Sequence, residues 1–216
     1  MSVTGIILAG GRSRRLGMDK TSMAWPPPAP GDGVGANVPD APGGLGVPAT
    51  TLLEAAGATL QLVCDDVLVV GYRAARAVPY RVAPDLYAEG GSLGGIYSGL
   101  FAALGDYGLA VATDMPFLSV RLLRWMVEQP RDYDVLVPVR EEPEPLHAIY
   151  SKACLEPMRR KLEAGRLKIT GFFEDVRVQY VEAVTLAELD PDGLSFFNVN
   201  TPEDLERARS VLASRM

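Results

Sequence analysis

The sequence contains few of the residues that build disulfide frameworks and metal clusters. It has two cysteines, Cys64 and Cys154, and one histidine, His147. Two cysteines so far apart do not indicate a disulfide scaffold, and one histidine cannot supply a histidine-based metal cluster. We therefore expect free thiols in a reducing compartment.

Long apolar runs and an excess of positive charge are also missing. No uncharged apolar stretch approaches the ~20 residues that a membrane span needs, and the run 5–9 stops at two glycines, so a signal peptide is not expected. The formal net charge of -6 argues against a broad attraction to nucleic acid or to an anionic membrane. We expect a cytoplasmic protein that binds neither, and any anionic ligand must be held locally.

Short apolar runs alternate with longer stretches of helical period. This alternation is typical of βαβ units, which build a mostly parallel sheet with helices on both faces. With 216 residues, of which 48% are hydrophobic, the chain is long enough for one such α/β domain over 1–216. We predict strands at 4–9, 66–70, 109–113 and 133–137. We predict helices at about 50–63, 93–104, 119–128, 152–164 and 202–213.

The last predicted helix has the clearest start. Thr201 can cap it, Pro202 suits its first turn, and Asp204 lies three residues after the cap. The apolar residues Leu205, Ala208 and Leu212 form a stripe along it. We expect this helix to close the fold.

Residues 26–50 differ in character from the rest of the chain. Seven prolines and six glycines fall among them, with no basic and no aromatic residue. Such a segment cannot bury enough apolar surface to offset the entropy lost on ordering. We interpret it as a flexible surface insertion between a strand-like stretch at 21–25 and the following helix.

The first candidate site is the loop from Leu8 to Lys20. It leaves an apolar strand, contains three glycines, and carries four positive charges against one negative over residues 11–20. Glycines let a backbone approach a ligand closely, and basic side chains offset phosphate charge. The loop therefore predicts a triphosphate site, although it has neither the Walker nor the dinucleotide-binding spacing. The alternative is a strand-to-helix turn with a solvated basic face.

The second candidate is Asp114, which follows the apolar run 108–113. In open α/β sheets ligands bind beyond the carboxyl ends of the strands, where a carboxylate can anchor Mg²⁺ against phosphate oxygens. We predict Asp114 as a magnesium ligand beside the first loop, because both strands should end at the same edge of the sheet. The alternative is an aspartate that caps the next turn.

The third candidate combines Asp85 with the glycine-rich stretch 90–95, which opens a helix. The N–H groups at such a helix start can accept an anion or the edge of a base. Gly94 and Gly95 are thus candidates for a second wall of the nucleotide pocket. In the alternative reading, these glycines form a flexible turn that allows close helix packing.

The fourth candidate is the pair Asn198 and Asn200, whose side chains should point the same way from a short extended segment. They could hold a polar substrate. Equally, Asn200 could only end the strand before the Thr201 cap.

His147 lies in the strand-like alternation of residues 144–150. No feature of the sequence pairs it with Ser13, Cys64 or Cys154 as part of a nucleophilic site. We interpret it as an ordinary strand residue at the edge of a pocket.

Taken together, these motifs resemble those of the molybdenum cofactor guanylyltransferases. The similarity covers nearly the whole chain except 26–50, and it is carried by the segments 8–20, 91–95, 113–117, 145–150 and 197–205. The resemblance implies a Rossmann-like α/β fold of the nucleotide-diphospho-sugar transferase type.

The resemblance also implies roles for individual residues. The nucleotide would be held by Leu8, Ala9, Gly10 and Gly11, with Lys20 on the phosphates and Asp85 at the guanosine. Asp114 would bind Mg²⁺, and Arg15, Asn198 and Asn200 would lie toward the pterin. The catalytic residues would be Arg15, Lys20 and Asp114.

In the reaction that the resemblance implies, the terminal phosphate of molybdopterin attacks the α-phosphorus of GTP and pyrophosphate leaves. This nucleophile is already anionic and needs no general base, so the protein supplies alignment and positive charge. The expected partners are GTP, molybdopterin, and a recipient molybdoenzyme or its chaperone.

Two alternatives remain open. One is a cytidylyltransferase that acts on the same pterin, although the residues at 8–11 and 114–116 favour guanylyl transfer. The other is a non-catalytic nucleotide-binding or cofactor carrier protein. The presence of both Lys20 and Asp114 argues against it.

Overall fold

A computed structural model describes residues 2–9, 20–26, 50–73 and 77–215 of the chain, and of Lys20 only the backbone. The strands are β1 (Val3–Leu8), β2 (Ala24–Trp25), β3 (Thr50–Thr51), β4 (Asp66–Val70), β5 (Arg81–Ala83), β6 (Tyr107–Ala112), β7 (Val135–Pro138), β8 (His147–Ser151) and β9 (Val178–Val181). The helices are α1 (Leu52–Gln61), α2 (Gly91–Ala102), α3 (Val120–Glu128), α4 (Leu155–Glu163), α5 (Ala183–Leu189) and α6 (Pro202–Ala213).

The centre of the fold is a seven-stranded sheet in the order β5-β4-β1-β6-β8-β7-β9. Its neighbouring strands are parallel except at β8, which runs against both β6 and β7. Helices α1, α3 and α5 pack on one face, and α2 and α4 pack on the other. The predicted mostly parallel sheet with helices on both faces is confirmed.

Strand β1 shows why the apolar runs are nearly continuous. Its six residues are all buried, with Ile7 packed on the face of α1 and Ile6 on the face of α2. A strand covered on both faces has no side that favours polar residues. The same holds for β6, where Leu109 and Ala110 point into opposite halves of the core.

The local start of α6 follows the prediction. Thr201 Oγ1 accepts a hydrogen bond from the Asp204 N–H at 3.2 Å, and Asp204 Oδ2 accepts one from the Thr201 N–H at 3.0 Å. Such a capping box contributes about 0.5–2 kcal/mol to helix stability. The apolar stripe of α6 packs on a separate small cluster that contains Trp25 and Val199.

Two segments differ from their predictions, and some elements were not predicted. The strand-like stretch at 21–25 begins as a 3-10 turn, Lys20–Ser22, and only Ala24–Trp25 is extended. The predicted helix at 152–164 begins at Leu155, after a 3-10 turn at Lys152–Cys154 that Ser151 caps. Strands β5 and β9 and helix α5 were not predicted. Their sequences lack a strong period because much of each lies at the surface.

Residues 27–49 of the predicted insertion lie outside the described part of the chain. On either side of them β2 and β3 pair antiparallel, with Trp25 opposite Thr50. Within the described ranges, no helix has the length and apolarity needed to cross a membrane.

Candidate active site

Two of the candidate segments end side by side at the carboxyl edge of the sheet. Strands β1 and β6 are parallel neighbours, with Leu8 opposite Ala112. The hydroxyl of Thr113 donates a buried hydrogen bond of 2.7 Å to the carbonyl oxygen of Leu8. This bond joins the start of the first loop to the residue before Asp114, so the predicted shared edge is confirmed.

We expect Thr113→Val to destabilise the protein by about 1–3 kcal/mol, because it leaves the buried Leu8 carbonyl without its side-chain donor. Urea unfolding measures the change. The matched control is Thr59→Val, whose hydroxyl donates only to the Ala55 carbonyl within α1 at 3.1 Å. That change should stay within about 0.5 kcal/mol. Equal losses in the two variants would contradict a special role for the Thr113 bond.

The asparagine segment lies against Asp114. The Val199 N–H donates to the Asp114 carbonyl oxygen at 2.9 Å, and the Val199 side chain is fully buried. Asn198 is half-buried and Asn200 is exposed, which agrees with the predicted alternation even though these residues form no strand. The Asn198 amide donates to the Phe196 carbonyl at 3.1 Å. The fold thus brings the second and fourth candidates together.

Asp85 follows β5 at the same edge of the sheet and is part of a turn. Its Oδ1 accepts a hydrogen bond from the Tyr87 N–H at 3.1 Å and lies 3.4 Å from Ser98 Oγ of α2. Ser98 in turn accepts from the Leu86 N–H at 2.9 Å. These contacts tie the Asp85 turn to α2 and hold the carboxylate half-buried at the carboxyl edge.

The glycines of α2 allow close packing around the start of the helix. A Cβ on Gly94 would come within 2.6 Å of the Tyr87 carbonyl oxygen, and one on Gly95 would come within 3.2 Å of Leu8 Cδ2. Helix α2 therefore begins directly against the end of β1 and against the Asp85 turn. Packing accounts for both glycines, and their contact with a nucleotide stays a prediction.

Several predicted site residues lie outside the described part of the chain: Gly10, Gly11 and Arg15. For Lys20 the backbone position at the start of a 3-10 turn is described, and the side chain is not. Ala9 is described, and its N–H donates to the Val70 carbonyl at 3.0 Å, which continues the pairing of β1 with β4.

His147 lies in a strand, as predicted, but it is fully buried and so does not line the edge of a pocket. It opens β8 opposite Val111, is 0% exposed, and packs its ring on Phe196 at a centroid distance of 4.8 Å. Its Nε2 lies 3.5 Å from Ser195 Oγ, and Ser195 is also 0% exposed. Because neither side chain reaches solvent, the pair is not a nucleophilic site.

The cysteines are equally unsuited to nucleophilic chemistry. Burial raises the pKa of Cys64 to about 12 and that of Cys154 to about 12, with neighbouring aspartates acting in the same direction. Since the thiolate is the reactive form, these shifts disfavour a nucleophilic role for either thiol at neutral pH.

Charged groups also follow β7 at this edge. The guanidinium carbon of Arg140 lies 5.5 Å from the centroid of the Phe196 ring. The Glu144 carboxylate lies close enough to Arg140 for the two charges to interact. Burial raises the pKa of Glu144, and Arg140 partly offsets that rise. Burial also raises the pKa of Asp190, whose carboxylate accepts a hydrogen bond from the Ser195 N–H at 3.0 Å.

The residues present fit a magnesium ion held jointly with a ligand. Among the described residues, no group of three or more His, Cys, Asp or Glu side chains could hold a metal by itself. Mg²⁺ usually keeps waters and binds through one or two carboxylates together with substrate phosphates. The Asp114 carboxylate, with its Oδ1 buried at the edge of the sheet, supplies such a ligand.

Two structural residues of this region were not identified from the sequence. The structural role of Thr113 could have been found from the sequence. Its hydroxyl ends an apolar strand just before Asp114, and a hydroxyl that is buried there needs a hydrogen-bond partner. Ser195 gives no such signal, because its contacts with Ser119 and His147 come from segments 76 and 48 residues away.

Comparison with known proteins agrees with this geometry. The family model described as the MobA-like NTP transferase domain matches residues 5–177. A probable molybdenum cofactor guanylyltransferase of Pelotomaculum thermopropionicum is 37% identical over 97% of this chain and 93% of its own length. A molybdenum cofactor guanylyltransferase of Desulfosudis oleivorans is 35% identical over 98% of this chain and 96% of its own.

Among solved structures, molybdopterin-guanine dinucleotide biosynthesis protein A of Archaeoglobus fulgidus is similar over 99% of this chain and 100% of its own. Its TM-score is 0.76 and its identity 26%. The fold expected from the resemblance, that of the nucleotide-diphospho-sugar transferases, is confirmed. With the family match over residues 5–177 and the near full-length relatives, the chain belongs to the MobA-like NTP transferase family.

Proposed function

We propose that this protein transfers GMP from GTP to the terminal phosphate of molybdopterin and releases pyrophosphate. The observation that carries the proposal is the convergence of two segments on Asp114. The end of β1 accepts a hydrogen bond from Thr113, the residue before Asp114, and the Val199 N–H of the asparagine segment donates to the carbonyl of Asp114 itself. The names of the near full-length relatives support the same activity.

The nucleotide side of the site would be built at β1 and α2. Leu8 and Ala9 begin the loop that would cradle the triphosphate with Gly10, Gly11 and Lys20, and Gly95 packs α2 against Leu8. The N-terminus of α2 favours negative charge, because its peptide dipoles point their positive ends there. Asp85 would complete the guanosine side.

The acceptor side would be built by Arg15, Asn198 and Asn200. Half-buried Asn198 and exposed Asn200 flank the Val199 anchor, so their amides can meet a polar substrate beside Asp114. Asp114 would hold Mg²⁺, which when bound neutralises phosphate charge and orients the reacting groups.

The chemistry balances without a proton donor or acceptor from the protein. A phosphate oxygen of molybdopterin forms a bond to the α-phosphorus of GTP, and the bond from that phosphorus to the bridging oxygen of pyrophosphate breaks. The side chains align the two anions and offset their repulsion, chiefly through Lys20 and Arg15. The dinucleotide product would pass, in the cytoplasm, to a recipient molybdoenzyme or its chaperone.

The first test is thermal unfolding with Mg²⁺ and each of GTP, CTP, ATP and UTP, repeated with chelator. At ~100 times its dissociation constant, a ligand adds roughly 2.7 kcal/mol and should raise Tm by several degrees. We expect a magnesium-dependent shift with GTP alone. Pyrophosphate release on addition of molybdopterin then measures transfer.

The outcomes separate the alternatives. A shift with CTP instead of GTP, together with CTP-dependent pyrophosphate release, would replace guanylyl by cytidylyl transfer. Nucleotide binding without any pyrophosphate release would contradict an enzyme and favour a carrier.

A further inference from the structure

A cluster of buried and half-buried side chains adjoins the asparagine segment and takes no part in the chemistry proposed above. We call it the His147 cluster, and it consists of His147, Ser195, Phe196 and Ser119. His147 and Ser195 are 0% exposed and Phe196 is 5% exposed. The cluster therefore acts on the site only through the backbone that it holds.

The cluster holds the turn before Asn198 from two sides. Ser195 Oγ accepts a hydrogen bond from the Ser119 N–H at 2.9 Å, and Ser195 Oγ lies 3.5 Å from His147 Nε2. The His147 ring packs on Phe196 at 4.8 Å with a 50° tilt. Ser195 is thereby joined to the start of α3, and Ser195 and Phe196 are joined to β8.

Two further contacts continue from the cluster to the site. The Phe196 carbonyl accepts the Asn198 side-chain amide at 3.1 Å. The Val199 N–H then donates to the Asp114 carbonyl at 2.9 Å. A displacement of Ser195 or Phe196 must therefore move the Asn198 amide or strain the Val199 anchor.

A histidine is a costly choice for this position on packing grounds. Its Nδ1 is buried and has no hydrogen-bond partner among the described residues. Such an atom costs about 1–3 kcal/mol, which an apolar ring would avoid. The compensating contacts of His147 are those with Ser195 and Phe196, both of which support the asparagine segment.

We propose that His147 is a positioning residue for the acceptor substrate, acting through Ser195 and Phe196 on the Asn198 amide. This inference rests on the proposed function for the identity of the acceptor. It assigns the cluster to the molybdopterin side of the site. Within the described ranges, no hydrogen bond or ring contact joins the cluster to α2, Leu8 or Ala9, which would form the nucleotide side.

The test compares His147→Gln with His147→Asn. Both replace the ring by an amide, but a glutamine amide reaches the place of Nε2, whereas an asparagine amide reaches only that of Nδ1. We expect His147→Asn to raise the KM for molybdopterin about tenfold and to leave the KM for GTP within twofold. His147→Gln should recover most of the lost affinity for molybdopterin.

An equal rise of both KM values, or no change in either, would overturn the proposal. The proposal would also be overturned if His147→Asn and His147→Gln had the same KM for molybdopterin. Failure of the proposed function looks different, since wild-type protein would then release no pyrophosphate from GTP and molybdopterin.

Amide hydrogen exchange tests the positioning without any substrate. The Val199 amide should exchange about tenfold faster in His147→Asn than in wild type, with little change at Ala9, whose amide bonds to Val70. If His147→Asn does not fold, Ser195→Ala serves instead, because it removes the Ser195 hydroxyl that contacts His147 and Ser119. It should accelerate exchange of the Val199 amide by a similar factor. Unchanged exchange at Val199 would contradict the proposal.

Discussion

Replacement of Asp114 by asparagine should lower guanylyl-transfer turnover by about 10²–10³-fold. The variant keeps the shape of the side chain but loses the charge that would hold Mg²⁺ at the reacting phosphates. The backbone is unaffected, because the carbonyl of residue 114 can still accept the Val199 N–H. Pyrophosphate release measures the turnover, with GTP and molybdopterin both saturating.

Asp106→Asn is the matched control, since Asp106 precedes β6 at the opposite end of the strand and is exposed. It changes the net charge by the same amount, so an effect of overall charge should appear in both variants. Turnover of Asp106→Asn should stay within twofold of wild type. Wild-type turnover in folded Asp114→Asn would remove Asp114 from the catalytic residues.

The placement of Asp114 could be predicted because it depends on short-range patterns. An uninterrupted apolar run indicates a strand covered on both faces, and parallel strands end at the same edge of the sheet. The capping box of α6 is similarly local, since Thr201 and Asp204 are three residues apart. These signals give the strand ends and the helix start without knowledge of the sheet order.

The direction of β8 and the burial of His147 could not be predicted in this way. Strand β8 lies between β6 and β7, and all five of its residues are buried. From the strand-like alternation His147 was predicted at the edge of a pocket, yet the neighbouring strands and the helices on both faces exclude water. Pairing between distant strands determines the outcome, and no window of the sequence contains that information.

The burial of His147 also predicts the second large effect, a loss of folding stability at acid pH. The pKa of a histidine in the unfolded chain is about 6.5, and burial lowers the pKa of His147 in the folded protein to about 3. Between these values the unfolded chain binds a proton that the folded protein does not bind. The stability that depends on His147 is therefore fully present above pH 6.5 and is lost as the pH falls, by about 2 kcal/mol at pH 5.

His147→Phe isolates this contribution, because His147 is the only histidine of the chain. The variant keeps a ring against Phe196 and removes the buried Nδ1, so it should fold. The carboxyls with shifted pKa values, among them Glu144 and Asp190, remain in both proteins and largely cancel in the difference. Urea unfolding at pH 7 and pH 5 should show wild type losing about 2 kcal/mol more than the variant.

Parallel losses in wild type and His147→Phe would mean that His147 gains a proton in the folded protein as readily as in the unfolded chain. Its ring would then have to reach water or a carboxylate. The tight packing of the cluster around Ser195 and Phe196, on which the positioning role depends, would not hold. The pH dependence of stability therefore tests, without any substrate, the burial that connects His147 to the Asn198 amide.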